Sequence, residues 1–113
     1  MMNIQDRIQD MVNEIQYSLG PGHSRLVYQT ALIIALQDAN LIFEADKVIP
    51  ITFRNRFVGT LTADIIVDNR MVIMLCGDRM ETIDQCKMYK RLSQLPFGLV
   101  ILFTPQGPIL EPC

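Results

Sequence analysis

Thr62-Ala63-Asp64-Ile65-Ile66-Val67, then the break Asp68-Asn69-Arg70, then Met71-Val72-Ile73-Met74-Leu75-Cys76-Gly77: the architecture follows from this stretch. Both runs are short and rich in β-branched or apolar side chains, which predicts two neighbouring strands. Asp and Asn between them tolerate the backbone of a tight hairpin turn. From Met71 to Leu75 every residue is apolar, so this strand belongs in a sheet interior with both faces covered. One acidic residue, Asp64, interrupts the pair.

Working outward toward the C-terminus, a helix is predicted from about residue 81 to 95, where Pro96 stops it. Phe97-Gly98-Leu99-Val100-Ile101-Leu102-Phe103 is a second buried strand, parallel to Met71–Leu75 with the helix as crossover. Thr104 to Cys113 holds three prolines and forms at most a short edge strand.

Toward the N-terminus, Phe57–Val67, Val48–Phe53 and Leu41–Ala45 read as strands, with Arg54-Asn55-Arg56 and Asp46-Lys47 as hairpin turns. Before them, Leu26, Val27, Ala31, Leu32, Ile34, Ala35 and Leu36 give a helix over about 24–39, capped by Ser24. Its broad apolar surface predicts a central helix packed on more than one side. Ile4, Ile8, Met11, Val12, Ile15 and Leu19 recur at helical spacing over about 3–18, and Gly20-Pro21-Gly22 ends that helix. The order is α-α-β-β-β-β-α-β, an α/β sandwich around a central mixed sheet.

The chain of 113 residues is read as one domain, 1–113, with half its residues hydrophobic and a net charge of −2. This balance gives no global attraction to nucleic acid or to an anionic membrane, although a local basic patch is compatible with it. Apolar runs fall far short of the roughly 20 residues a membrane helix needs, and the N-terminus lacks signal-peptide order. Cys76, Cys86 and Cys113 form an odd, unclustered set without Cys-x-x-Cys, so neither a zinc site nor a disulfide framework is expected. An intracellular setting, cytoplasmic or nuclear, follows.

Gly22-His23-Ser24-Arg25-Leu26-Val27-Tyr28, Val48-Ile49-Pro50-Ile51, Ala63-Asp64-Ile65-Ile66-Val67, Gln85-x-x-x-Tyr89 and Gly98-Leu99-Val100-Ile101-Leu102-Phe103 occur in one order. Together they resemble the GxxExxY family of the PD-(D/E)xK nuclease superfamily, from Ile4 to Thr104. The resemblance implies a restriction-endonuclease-like core and, at its site, Mg²⁺ held by carboxylates beside a lysine. This chain departs from that pattern at one class of residue. Arg25 stands where the family has Glu, and Ala35 where its long helix has Glu. Met74 and Cys76 stand where the triad has Glu and Lys, and Leu102 replaces an asparagine.

Mg²⁺ requires hard oxygen ligands, and a thioether is soft and neutral. The resemblance therefore implies a vestigial site of Asp64, Met74, Cys76, Gln85, Arg25 and Tyr28, with no metal and no catalytic residue. Within it, Arg25 can replace the charge of the lost cation by pairing with Asp64, and Asp64→Asn is then expected to lower stability. The competing expectation is an active Mg²⁺-dependent nuclease with relocated ligands: Asp64 with Asp68, Asp78 or Glu81, and Lys87 as the cation.

Outside that set, Lys87, Lys90 and Arg91 share a helical face, with Arg79 just before it, as a phosphate-contacting ridge or a solvated surface. His23, the single histidine, has no partner for acid–base or zinc chemistry. The methionines read as core filling or as an adaptable surface. The first helix's apolar face can dock on its own core or on a second subunit. The expected function is an inactive nuclease-fold protein that binds nucleic acid or protein, forms a homodimer and does not enter membranes. By resemblance alone, a viral or host-interaction protein would fit.

Overall fold

The structure, a computed structural model, describes residues 3–75 and 79–113, with only the backbone of Arg79. Cys76, Asp78 and the Arg79 side chain therefore lie outside the described residues.

Helix α1, Ile4–Leu19, begins at Asn3, whose side chain accepts from the Asp6 amide at 2.8 Å. It ends at Gly20, where φ is 70° and a left-handed conformation is cheap for a residue without Cβ. Ile8, Val12 and Ile15 form its buried stripe, so that face is consumed by the protein's own core. Helix α2, Arg25–Asp38, starts where Ser24 Oγ accepts from the Val27 amide, and buries Tyr28, Gln29, Leu32 and Leu36.

The broad apolar surface of α2 does not make it central. Leu26, Val27 and Ile34 face outward, because α1 and one side of the sheet occupy only one flank. The third helix lies against the opposite sheet face.

Strands β1 (Phe43–Phe53), β2 (Arg56–Val67), β3 (Met71–Leu75), β4 (Phe97–Thr104) and β5 (Gly107–Pro112) form one mixed sheet in sequence order. β3 and β4 are parallel, joined through helix α3, Arg79–Ser93, and the other neighbours are antiparallel. This is an α/β, restriction-endonuclease-like fold. All five residues of β3 are buried, as expected for an interior strand covered by α1 and α2 on one side and α3 on the other.

The element order differs from the sequence expectation and becomes α-α-β-β-β-α-β-β. Asp46-Lys47 is not a turn: β1 runs through it, with Ala45 opposite Ile65 and Lys47 opposite Ala63. Asp46 adopts φ of 52°, so its turn propensity is expressed as a kink inside a strand. The tail forms a full fifth strand, with Pro108 and Pro112 on an outer edge where a missing N–H costs no sheet bond. Arg54-Asn55 and Asp68-Asn69 are the tight turns, all four residues having positive φ.

A bond links Cys86 of α3 to Cys113, contrary to the sequence reading of the cysteines. Their 27-residue separation carries no local signal. They meet because β5 returns along β4, which places Pro112 opposite Leu99, and α3 lies over the same strand. Gly98 makes the space: a Cβ there would come within 2.4 Å of Cys113 Sγ and 3.0 Å of Cys86 Sγ. Among the described residues, no helix is long and apolar enough to cross a membrane.

Candidate functional site

Only Ile65, Ile66 and Val67 of β2 pair with β3, so β2 leaves the sheet at Asp64. Beyond that point β1 and β2 continue as a two-stranded arm. The side-chain alternation also turns over there. Ile65 and Val67 pack under α1 and α2, whereas Leu61 and Ala63 pack on the α3 side. Phe43 and Ile49 of β1 divide the same way, across the left-handed Asp46. Asp64 is thus held at the fork between arm and sheet.

Both oxygens of its carboxylate are occupied. Oδ1 accepts from Arg25 Nη1 at 2.6 Å, and Oδ2 accepts from the Leu75 amide at 2.7 Å. Arg25 is the first residue of α2, where a cation opposes the positive end of the helix dipole and no acid in the first turn offsets it. The ion pair with Asp64 compensates. The carboxylate is 13% exposed and the guanidinium side chain 50% exposed, so water screens the pair from one side only.

Burial nevertheless dominates, pushing the Asp64 carboxyl above the ordinary carboxylate range despite the opposing Leu75 bond and Arg25 charge. Asp46 pushes it further up. The sign has a measurable consequence. A carboxyl whose folded pKa exceeds its unfolded value binds more protons when folded, so its contribution to stability falls as pH rises through that window. Urea denaturation of wild type and Asp64→Asn from about pH 4 to neutrality should show wild type losing ground to the variant. A difference that is flat or grows with pH would refute the assignment. The ion pair expected between Arg25 and Asp64 is present, and this pH slope is separate from the loss expected for Asp64→Asn, which gives up one of the two acceptor oxygens.

A cleft of about 300 Å³ opens beside the pair, lined by Arg25, Thr62, Asp64, Met74, Glu81 and Gln85 among others. Gln85 Nε2 donates to Glu81 Oε1 at 3.3 Å across one turn of α3. Met74 is buried in the α3-side core with Val72, Cys86 and Tyr89. Tyr28 belongs elsewhere. Its hydroxyl donates to the Gly20 carbonyl at 2.6 Å and accepts from the His23 amide at 3.2 Å, while its ring stacks on Phe103. It fixes the loop between the first two helices. His23 Nε2 lies 2.9 Å from the Leu19 carbonyl at the end of α1.

On α3, Lys87 is exposed and Arg91 lies against Met88 Sδ. Lys90 is drawn off that ridge to donate to the Cys113 carbonyl. Asp68 is far from a shared site with Asp64: it sits in the β2–β3 turn beside Arg70. One organising residue escaped the sequence reading altogether. Gln29 is 2% exposed, and its Nε2 donates at 3.0 Å to both the Asp46 carboxylate and the Asp64 carbonyl. A polar residue one position beyond Tyr28 on an apolar stripe was the only signal.

A helix pair, a mixed sheet with a parallel β3–β4 crossover, and an aspartate at the strand fork set the frame for comparison. The family model of the PD-(D/E)XK nuclease superfamily matches residues 2–109. The chain belongs to this superfamily. No curated protein and no solved structure matches it.

For a PD-(D/E)XK protein a divalent ion is implied, and the described residues around Asp64 do not fit one. A dication would meet a guanidinium 2.6 Å from Oδ1, a like charge that repels it, and an amide already donating to Oδ2 at 2.7 Å. The side chain across the fork is the thioether of Met74, a poor ligand for a hard cation. Among the described residues, no three His, Cys, Asp or Glu side chains are grouped to share an ion.

Proposed function

We propose that the chain is a catalytically inactive PD-(D/E)XK protein of GxxExxY type, acting as a homodimeric binding or structural module. The observation that carries this reading is the Asp64 carboxylate paired with a cation of the chain's own, Arg25 on one oxygen, and with the Leu75 amide on the other. In a hydrolase of this shape those lone pairs would face a metal and its water. An intracellular setting belongs to the same reading.

Calorimetric titration with Mg²⁺ and Mn²⁺ should give only heats of dilution, and plasmid and single-stranded DNA should remain intact with either ion. Metal-dependent cleavage that disappears in Asp64→Ala would overturn the proposal in favour of relocated ligands around Asp64 and Glu81.

Nucleic acid as the partner is favoured by Lys87 and Arg91, which have no carboxylate partner among the described residues. Two phosphate contacts predict a shallow salt dependence, with a log–log slope of about −2. Lys87→Glu with Arg91→Glu should abolish a DNA mobility shift at low salt. A shift untouched by both changes would remove α3 as the contact.

A further inference from the structure

The outer face of the α1–α2 pair carries an open groove of about 480 Å³. Met11, Ile34 and Ala35 line its floor, Glu14 and Asp38 also line it, and no lysine or arginine does. Ile34 is 52% exposed there. Ala31, Ile34 and Ala35 of α2's apolar positions lie on this surface, and no described element of the fold covers it.

The opposite chemistry projects at the end of the β1–β2 arm. Phe53, Phe57 and Val58 are each at least 60% exposed. Arg54 in the turn and Arg56 just after it have no carboxylate partner among the described residues, and Arg54 lies over the Phe53 ring at 5.1 Å. Aromatic side chains with arginine are the composition found at the centres of protein interfaces. Here they stand on a paired hairpin closed by a tight turn, which presents them together at one tip.

One chain therefore displays an apolar-and-cationic projection and an apolar-and-anionic groove, both exposed in the same molecule. We propose that the arm tip of one copy seats in the α1–α2 groove of a second copy, with Phe57 and Phe53 against Ile34 and Met11, and Arg54 and Arg56 beside Glu14 and Asp38. This inference rests on the homodimer part of the reading above and is independent of the state of Asp64.

Sedimentation equilibrium from micromolar to submillimolar protein tests it with surface variants whose melting is checked in parallel. An arm variant (Arg54→Glu with Phe57→Ser) and a groove variant (Ile34→Arg) should each weaken self-association about tenfold or more, as for interface anchors. Mixing the two should restore a one-to-one complex, since the groove variant keeps an intact arm and the arm variant an intact groove. Self-association that survives both variants would overturn this contact while leaving homodimerisation standing. Mixing without restoration would also overturn it. A wild type that is monomeric throughout would overturn both, leaving the groove to a foreign basic segment.

Discussion

Cys113→Ser is expected to lower the melting temperature by roughly 12–16 °C, the largest effect of any single conservative change considered. The bond to Cys86 closes a 27-residue loop spanning the second half of α3, then β4 and β5. Removing such a constraint restores entropy to the unfolded chain worth about 3–4 kcal/mol in the chain-entropy account. In a domain of this size each kilocalorie corresponds to about 4 °C. Reductant should produce the same drop in wild type and none further in the variant.

Gly98→Ala offers an independent check. Its methyl would stand 2.4 Å from Cys113 Sγ, and that sulfur cannot swing away while bonded to Cys86. The variant should therefore fold with the bond open or fold poorly. Thiol counts under denaturing, non-reducing conditions should rise from one in wild type, for Cys76, to three. A count of one in Gly98→Ala with unchanged melting would show that the sulfurs do not lie over Gly98.

Gln29→Leu should cost about 1–3 kcal/mol, a drop of roughly 4–12 °C, although leucine has nearly the same volume and is less costly to bury. The glutamine amide places one hydrogen on the Asp64 carbonyl and one on the Asp46 carboxylate, each at 3.0 Å. Asp46 is exposed and can return to water, so little is lost there. The Asp64 carbonyl, part-buried against α2, would lose this donor to an apolar side chain, which carries a desolvation penalty. Because Gln29 ties α2 to the kink, faster amide exchange should concentrate around Asp46 and Asp64, with the β3–β4 ladder still protected. Unchanged stability in urea would mean that the kink holds without this amide.

The strands flanking Asp64 were legible because their pattern is local: β-branched runs, Asp-Asn and Arg-Asn at the turns, an all-apolar interior strand. The crossover followed because a parallel neighbour needs a long connection, and α3 supplies it. The cap at Ser24 and the stop at Gly20 were also local events. Asp46-Lys47 misled because turn-forming residues lower the cost of a left-handed backbone anywhere, including a strand that must bend. The breadth of α2's apolar surface misled in the same manner, since composition records how much surface is apolar and not which side a neighbour covers.

At the site, the Arg25–Asp64 pair could be anticipated from the family resemblance and the signs of the two charges, but its energetics could not. Arg25 and Asp64 are 39 positions apart, and only their packing determines that burial outweighs attraction at the carboxylate. Gln29 and the Cys86–Cys113 bond were invisible for the same reason: each joins groups whose proximity is created by the return of a distant strand or helix. By itself the sequence determined the three helices, the strands on either side of Asp64 and the parallel partner that begins at Phe97, because these depend on neighbours within a few residues. Tertiary structure alone decided what surrounds that acid, how much water reaches it and which apolar faces stay open, because solvation and contact are properties of segments brought together in space.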